Sequence, residues 1–320
     1  MKFIHTAEQA DFARTLDQVL CATDVVAAAR AWGEGNYAPG QALWDTLAEQ
    51  GVPALLVPED ADGMGATATE LVIAMEALGR HAVPGPWVES AAYLPRALSD
   101  SAALSAIAEG APASVAVAPQ VPYALDAEIA DSVYTVLGST LHSASVTSTV
   151  ASIDAARRLA TVDPGAPVAS GDLDRAFDTA VLAAAAQVYG AGERLLTEAV
   201  AYVKQRRQFG REIGSYQAIK HQLADVRIAL DFVRPLLDGA ALADGTGTFS
   251  RDVSAAKVAA NEAAYLSSRV ALQVHGAIGY TAELDLSLWL LKVRALLGAW
   301  GTTTFHRERV LAALVAEGAA

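Results

Sequence analysis

The sequence predicts a mainly α-helical protein with a small β domain set between two helical regions. Three observations carry that expectation. The first third of the chain repeats apolar residues at helical spacing. Residues 111–165 turn to short β-branched runs punctuated by Pro, Gly and Ser. From Asp174 onward, long alanine-rich helical segments return. The order divides the chain into an N-terminal helical domain over 1–110, a β domain over 111–170 and a C-terminal four-helix bundle over 171–320. At 320 residues, 53% of them hydrophobic, the chain is long enough to core two or three packed subdomains.

In the first region Thr6 serves as an N-cap with Gln9 three residues on, and Phe12, Leu16 and Val19 mark the buried face of the helix that follows. A second helix is expected over 40–51, with Leu43, Trp44 and Leu47 on one face and Gly51 as its stop. VPALLVPEDADGMGAT then gives an irregular loop, because Pro58, Gly63 and Gly65 break any regular pattern. TELVIAMEALGRH supplies a third helix.

The middle region reads as four to six short strands, with loose alternation over 141–150. The last region reads as one long helix over 176–207 and a second over 213–243, the latter bent or broken at Pro235. A third covers 251–276, and 283–318 yields one or two more. Abundant Ala favours helix and lets neighbouring helices approach closely, so the set predicts an antiparallel bundle with short loops.

A formal net charge of −13 excludes nucleic acid and an anionic membrane surface as general partners. The apolar runs are broken before a membrane-spanning length of about 20 residues, and the polar N-terminal stretch shows no secretory signal, so a cytoplasmic location is expected. With a single cysteine, Cys21, neither an intrachain disulfide nor a cysteine-based metal site is expected, and Cys21 itself is expected to be a small buried residue. The six histidines show no ligand spacing, so no metal is expected.

Against that acidic background VKQRRQFGREIG, 203–214, stands out. Lys204, Arg206, Arg207 and Arg211 crowd beside Phe209 and Gly210. Guanidinium forks match phosphate oxygens, although cations at a helix end also complement the macrodipole. Gly210 is expected to end the long helix and expose backbone N–H groups beside Arg207. The next helix, starting near Ile213 and Gly214, adds a second anion-attracting terminus. A second unusual stretch, QVHGAIGYTAEL at 273–284, leaves a helix at Gln273 and turns through Gly276 and Gly279.

Arg207-Gln208-Phe209-Gly210, Gln217 within YQAIKHQLAD, and QVHGAIGY resemble, in that order, the C-terminal domain of the acyl-CoA dehydrogenases. LAEQGVPALLVPEDADGMGATATELVIAMEALGR, 47–80, is similar to that family's first helical domain, so the resemblance covers 40–95 and 175–315. It implies an acyl-CoA dehydrogenase-like fold, FAD as cofactor and hydride transfer from an acyl-CoA to the flavin. It also implies that Arg207, Phe209, Gln217, Gln273, Gly276 and Gly279 reach across a subunit interface to the adenosine-diphosphate half of FAD. Ala277 stands where the family usually has a second glycine of the loop. Thr302 and Thr304 in WGTTT match flavin-contacting positions.

The resemblance stops where chemistry begins. The family's catalytic glutamate lies in an EGT motif, and here Trp300-Gly301-Thr302 stands in its place. Tryptophan offers only an N–H donor and cannot take a proton. The other position used for the base falls on Ala180, with Val181 beside it. The ring-holding stretches of the middle domain are missing from 85–170. No catalytic residue is therefore assigned. These departures imply the short non-catalytic subunit of a heteromeric α2β2 enzyme, like those of actinobacterial steroid degradation. A longer acyl-CoA dehydrogenase subunit would supply the base and the bulky acyl-CoA substrate, with electron-transfer flavoprotein or a similar acceptor downstream. The alternative is a self-sufficient homo-oligomeric flavoenzyme whose base is Asp285, Glu283 or His306. A third reading, a binding or structural protein without flavin, predicts no role for Arg207 in cofactor content.

Overall fold

In the computed structural model, which describes residues 3–318, Thr6 opens helix α1 (Ala7–Ala22) through a complete capping box: its side chain accepts from the Gln9 backbone N–H and the Gln9 side chain accepts from its own. Asp24 caps α2 (Val25–Gly33), a nine-residue helix that the sequence reading did not assign and that buries Val25, Ala28, Ala29 and Trp32 on one face. Helix α3 (Ala38–Glu49) begins two residues before the predicted 40–51 helix and ends two residues before its expected stop at Gly51. The 52–66 stretch is a run of turns with one 3-10 segment at Glu59–Ala61. A second capping box, Thr67 with Glu70, starts α4 (Ala68–Arg80). Residues 81–110, which gave no clear sequence pattern, hold a five-residue π-turn at Glu89–Tyr93, the short α5 (Leu94–Ala97) and α6 (Ser101–Ala108).

The middle of the chain is a five-stranded sheet of β1 (Ala113–Ala116), β2 (Ala124–Leu125), β3 (Ser132–Leu137), β4 (Thr140–Val150) and β5 (Leu159–Pro167). The strands lie in the order β1-β3-β4-β5-β2. The β1–β3 pair is parallel and the others are antiparallel. Its register shifts at 142–144 and 146–148, which explains the loose alternation of β4: a bulge moves successive side chains out of strict period two.

Helix α7 (Leu173–Gln205) runs the length of the C-terminal region, capped by Asp172. It is followed by the hairpin β6 (Arg207–Gln208) and β7 (Arg211–Glu212), then α8 (Gln217–Leu242), α9 (Phe249–His275), α10 (Leu286–Leu296) and α11 (Thr303–Ala316). The helix α8 is not broken at Pro235. That residue lies on the exposed face, while Leu230, Val233 and Leu237 stay buried on the other side. The core joins α4, α7, α8 and α9 to the π-turn and β1. The α4–α7 crossing requires glycine on both helices. A Cβ at Gly79 would lie 1.9 Å from the Gln187 carbonyl oxygen, and one at Gly190 would lie 2.1 Å from the Glu76 carbonyl oxygen.

Cys21 is exposed, against the expectation of burial. Leu16 and Leu20 are the buried residues of α1, and the residue after Leu20 turns about 100° away from that face. Among the described residues no helix is long and apolar enough to cross a membrane.

Candidate functional site

The basic stretch does not end the long helix at Gly210 as expected. Helix α7 stops at Gln205, and 207–212 fold into a two-stranded hairpin whose turn places Phe209 at φ 53° and Gly210 at φ 82°. Two consecutive positive φ values are what a tight hairpin turn needs to match strand twist. Phe209 is thereby pushed into solvent at 92% exposure. Arg207 is exposed too, with Glu212 4.0 Å from its guanidinium. Arg211 stacks 3.8 Å from the Tyr216 ring centroid, and the Tyr216 hydroxyl donates to the Gln208 carbonyl at 3.4 Å, which ties the hairpin to the start of α8. Gln217, first residue of α8, is exposed beside it.

The second motif lies at the same end of the bundle. The Tyr202 and His275 rings stack at 4.2 Å, so the last turn of α7 meets the last turn of α9. Gly276 then takes φ 64° and opens a 3-10 turn, Gly276–Tyr280. Gln273 and Gly276 are exposed, and no atom lies within 4 Å of a Cβ built on Gly276. Gly279 is buried, and a Cβ there would press on Leu272 and His275 at 3.1 and 3.2 Å, so this glycine serves packing within the chain.

Arg207, Phe209, Gln217, Gln273, Gly276 and Gly279 are thus gathered at one end. Thr302 and Thr304 are not. The Thr302 hydroxyl caps α11 by accepting from the Phe305 N–H at 3.2 Å, and Thr304 is exposed two residues on. Phe305 and Trp300 pack on Phe177, near the start of α7. From Phe177 to Gln205 the helix rises 28 steps of 1.5 Å, about 42 Å. That exceeds the length of a dinucleotide, so both groups of one chain cannot hold the same FAD.

Around Trp300 the chain is tightly determined. The indole is 1% exposed, its backbone sits at φ 56°, and its ring packs on Tyr93 at 5.2 Å and on Phe177 at 5.9 Å. His306 Nε2 donates to the Trp300 carbonyl at 2.9 Å, while Nδ1 faces the Ser254 hydroxyl at 3.2 Å. Burial lowers the His306 imidazole to about 4, so it is neutral and fully enclosed. Lys257, also fully buried, donates to the Leu296 carbonyl at 2.8 Å and to Asn261 Oδ1 at 3.1 Å. Desolvation brings its amine down to about 7. Asn261 Nδ2 reaches the Leu297 carbonyl and the Thr303 hydroxyl. Ser254, Lys257 and Asn261 form one stripe of α9 that clamps the α10–α11 turn. Of the bases named for a self-sufficient enzyme, His306 is committed to this clamp. Asp285 binds Arg30 at 2.8 Å at the far end of α10, a helix about 16 Å long, and Glu283 is exposed near it.

Sequence reasoning missed one carboxylate. Glu89, in the π-turn, is 2% exposed and lines a cavity of about 180 Å³ between sheet and bundle, together with Trp300, Arg157 and Tyr123. Burial raises its carboxyl, partly offset by the Arg157 charge and hydrogen bonding from Trp300, and its Oε2 has no partner. The available signal was a lone acid in the apolar run WVESAAYL, without an indication that it meets a residue 211 positions later.

Residues 6–99 match the acyl-CoA dehydrogenase N-terminal domain, and residues 173–315 match the acyl-CoA dehydrogenase C-terminal domain. The chain is 35% identical over 263 residues to the acyl-CoA dehydrogenase IpdE2 of Mycolicibacterium smegmatis, covering 80% of this chain and 82% of that protein. This chain belongs to the acyl-CoA dehydrogenase family. A chain of the ChsE4–ChsE5 complex of Mycobacterium tuberculosis shares the fold at TM-score 0.84 and 23% identity, over 99% of both chains. A chain of the Tcur3481–Tcur3483 steroid acyl-CoA dehydrogenase does so at TM-score 0.85 and 22% identity, over 98% of both. FAD is the family's cofactor. For an acyl-CoA dehydrogenase, the hairpin end offers what an adenosine diphosphate needs: an exposed guanidinium, an exposed aromatic ring, and a glycine loop open enough for close approach.

Proposed function

We propose that this chain is the non-catalytic subunit of a heteromeric, FAD-dependent acyl-CoA dehydrogenase that desaturates a bulky, steroid-derived acyl-CoA. One observation carries the reading. At the position of the family's base stands Trp300, fully buried between Tyr93 and Phe177 and fixed by the His306 and Lys257 clamp. Ala180 and Val181, the other base position, are buried and apolar. Likeness in fold to chains of the ChsE4–ChsE5 complex and of a steroid acyl-CoA dehydrogenase supports the heteromeric arrangement and the substrate class.

Within that reading each part of the chain has a task. FAD, when bound, accepts the hydride. Arg207 grips its phosphates, Phe209 covers the adenosine, and Gln217, Gln273 and the Gly276–Gly279 loop complete the grip from outside the partner's own site. Trp300 fills the space where a base and acyl group would meet and keeps water out. The longer subunit supplies the base and the ring-binding strands, and electrons leave to electron-transfer flavoprotein or a similar acceptor.

The test is co-expression with a longer acyl-CoA dehydrogenase subunit, followed by flavin and protein quantitation. A soluble complex with one FAD for every two chains is expected, together with no dehydrogenase activity from this chain alone. One flavin per chain, or turnover by the lone chain, favours instead a self-sufficient enzyme. The Glu89 carboxylate beside Trp300 is the observation on that side, and loss of the lone chain's activity in Glu89→Gln would identify it as the base.

A further inference from the structure

Two helices of the N-terminal region bring three metal-ligating side chains together. Asp17 and Cys21 lie one turn apart on the exposed side of α1. His81 follows α4 as its C-cap, nine-tenths buried, with Nε2 3.0 Å from Asp17 Oδ1. The ligand atoms of the three residues all lie within 4.8 Å of one another. Among the described residues the Cys21 thiol makes no hydrogen bond.

We propose that Asp17, Cys21 and His81 bind a borderline-soft divalent metal ion of the Zn²⁺ class, pinning α1 to α4. One thiolate, one imidazole and one carboxylate form a mixed S, N, O set that suits Zn²⁺ and Co²⁺, whereas Ca²⁺ and Mg²⁺ seek oxygen alone. Metal–ligand bonds of about 2.0–2.3 Å in a tetrahedron place the ligands roughly 3.3–3.8 Å apart. The Asp17–His81 pair, at 3.0 Å, is already near that spacing, and a pair as wide as 4.8 Å closes by about 1 Å, within reach of side-chain rotation at exposed Cys21. Two charged ligands and a neutral imidazole balance a divalent ion, and the fourth position faces solvent for a water. Spacing along the sequence could not reveal this site, because its third ligand comes from a different helix.

Co²⁺ titration of the metal-free chain tests the proposal. One equivalent should give tetrahedral d–d absorption together with a thiolate-to-cobalt charge-transfer band, both displaced by Zn²⁺. Cys21 is the only thiol, so the band reports this site alone. Cys21→Ser, a surface change, should abolish the charge-transfer band with far-ultraviolet circular dichroism unchanged. Asp17→Asn and His81→Gln should each weaken Co²⁺ binding by about tenfold or more. Zn²⁺ should raise the unfolding temperature of the wild type and not of Cys21→Ser. Absence of the band under excess Co²⁺, or wild-type Co²⁺ affinity in both Asp17→Asn and His81→Gln, overturns the site.

Discussion

Replacing Arg207 by Ala should separate cofactor retention from folding. Within its own chain the guanidinium has one acidic neighbour among the described residues, Glu212 at 4.0 Å, and both side chains are more than half exposed. An exposed pair of that kind contributes about 0–1 kcal/mol, so the unfolding midpoint of Arg207→Ala should stay close to wild type. Toward a phosphate oxygen the same guanidinium makes a charge-assisted hydrogen bond worth about 1–3 kcal/mol. Losing it should weaken FAD binding roughly five- to 150-fold, at 1.4 kcal/mol per tenfold. The assay is FAD released from the co-purified two-subunit complex, followed by flavin fluorescence across a dilution series, with circular dichroism melting of the variant as the folding control. Arg211→Ala serves as comparison. Its guanidinium is already stacked on Tyr216, so its loss should disturb the hairpin more and FAD phosphates less. Unchanged FAD affinity in Arg207→Ala would refute the idea that the hairpin grips the nucleotide. A collapse of affinity accompanied by an equal collapse of the fold would refute the separation.

Lys257 makes stability depend on pH. Its folded pKa, about 7, lies below the ordinary 10.5, so between these values the unfolded chain holds more protons and stability rises with pH. The buried phenols of Tyr93 and Tyr189 titrate upward-shifted and oppose this only above about pH 10. Denaturation midpoints from about pH 7 to about pH 9.5 should climb in wild type and flatten in Lys257→Met; equal slopes would remove Lys257 as the cause. Gly79→Ala should cost about 1–3 kcal/mol or more in urea denaturation, because its new methyl meets the Gln187 carbonyl at 1.9 Å and α4 must move off α7. Gly247→Ala, with open space around it, is the control, and equal effects from the two would contradict the close crossing.

Some of this molecule follows from adjacent residues alone. The capping boxes Thr6–Gln9 and Thr67–Glu70 are each closed within four residues, and the first appears where the sequence places it. The β-branched run of 111–165 makes its sheet, and the Arg207–Gly210 and Gln273–Gly279 motifs lie within the stretch that matches the family's C-terminal domain. These features are legible because helix caps, strand propensity and turn glycines are decided by short-range sterics and hydrogen bonds. Tertiary packing decided the rest. About 42 Å of α7 separates Phe177, on which Trp300 and Phe305 pack, from the hairpin end, and so splits one expected site into two. Gly79 and Gly190 reveal their purpose only when α4 and α7 touch. Glu89 meets Trp300, and His81 meets Asp17 and Cys21, across separations that no local pattern encodes. A side chain's chemistry is written at its own position, but its burial and its partners are set by whichever distant segment the hydrophobic core packs against it.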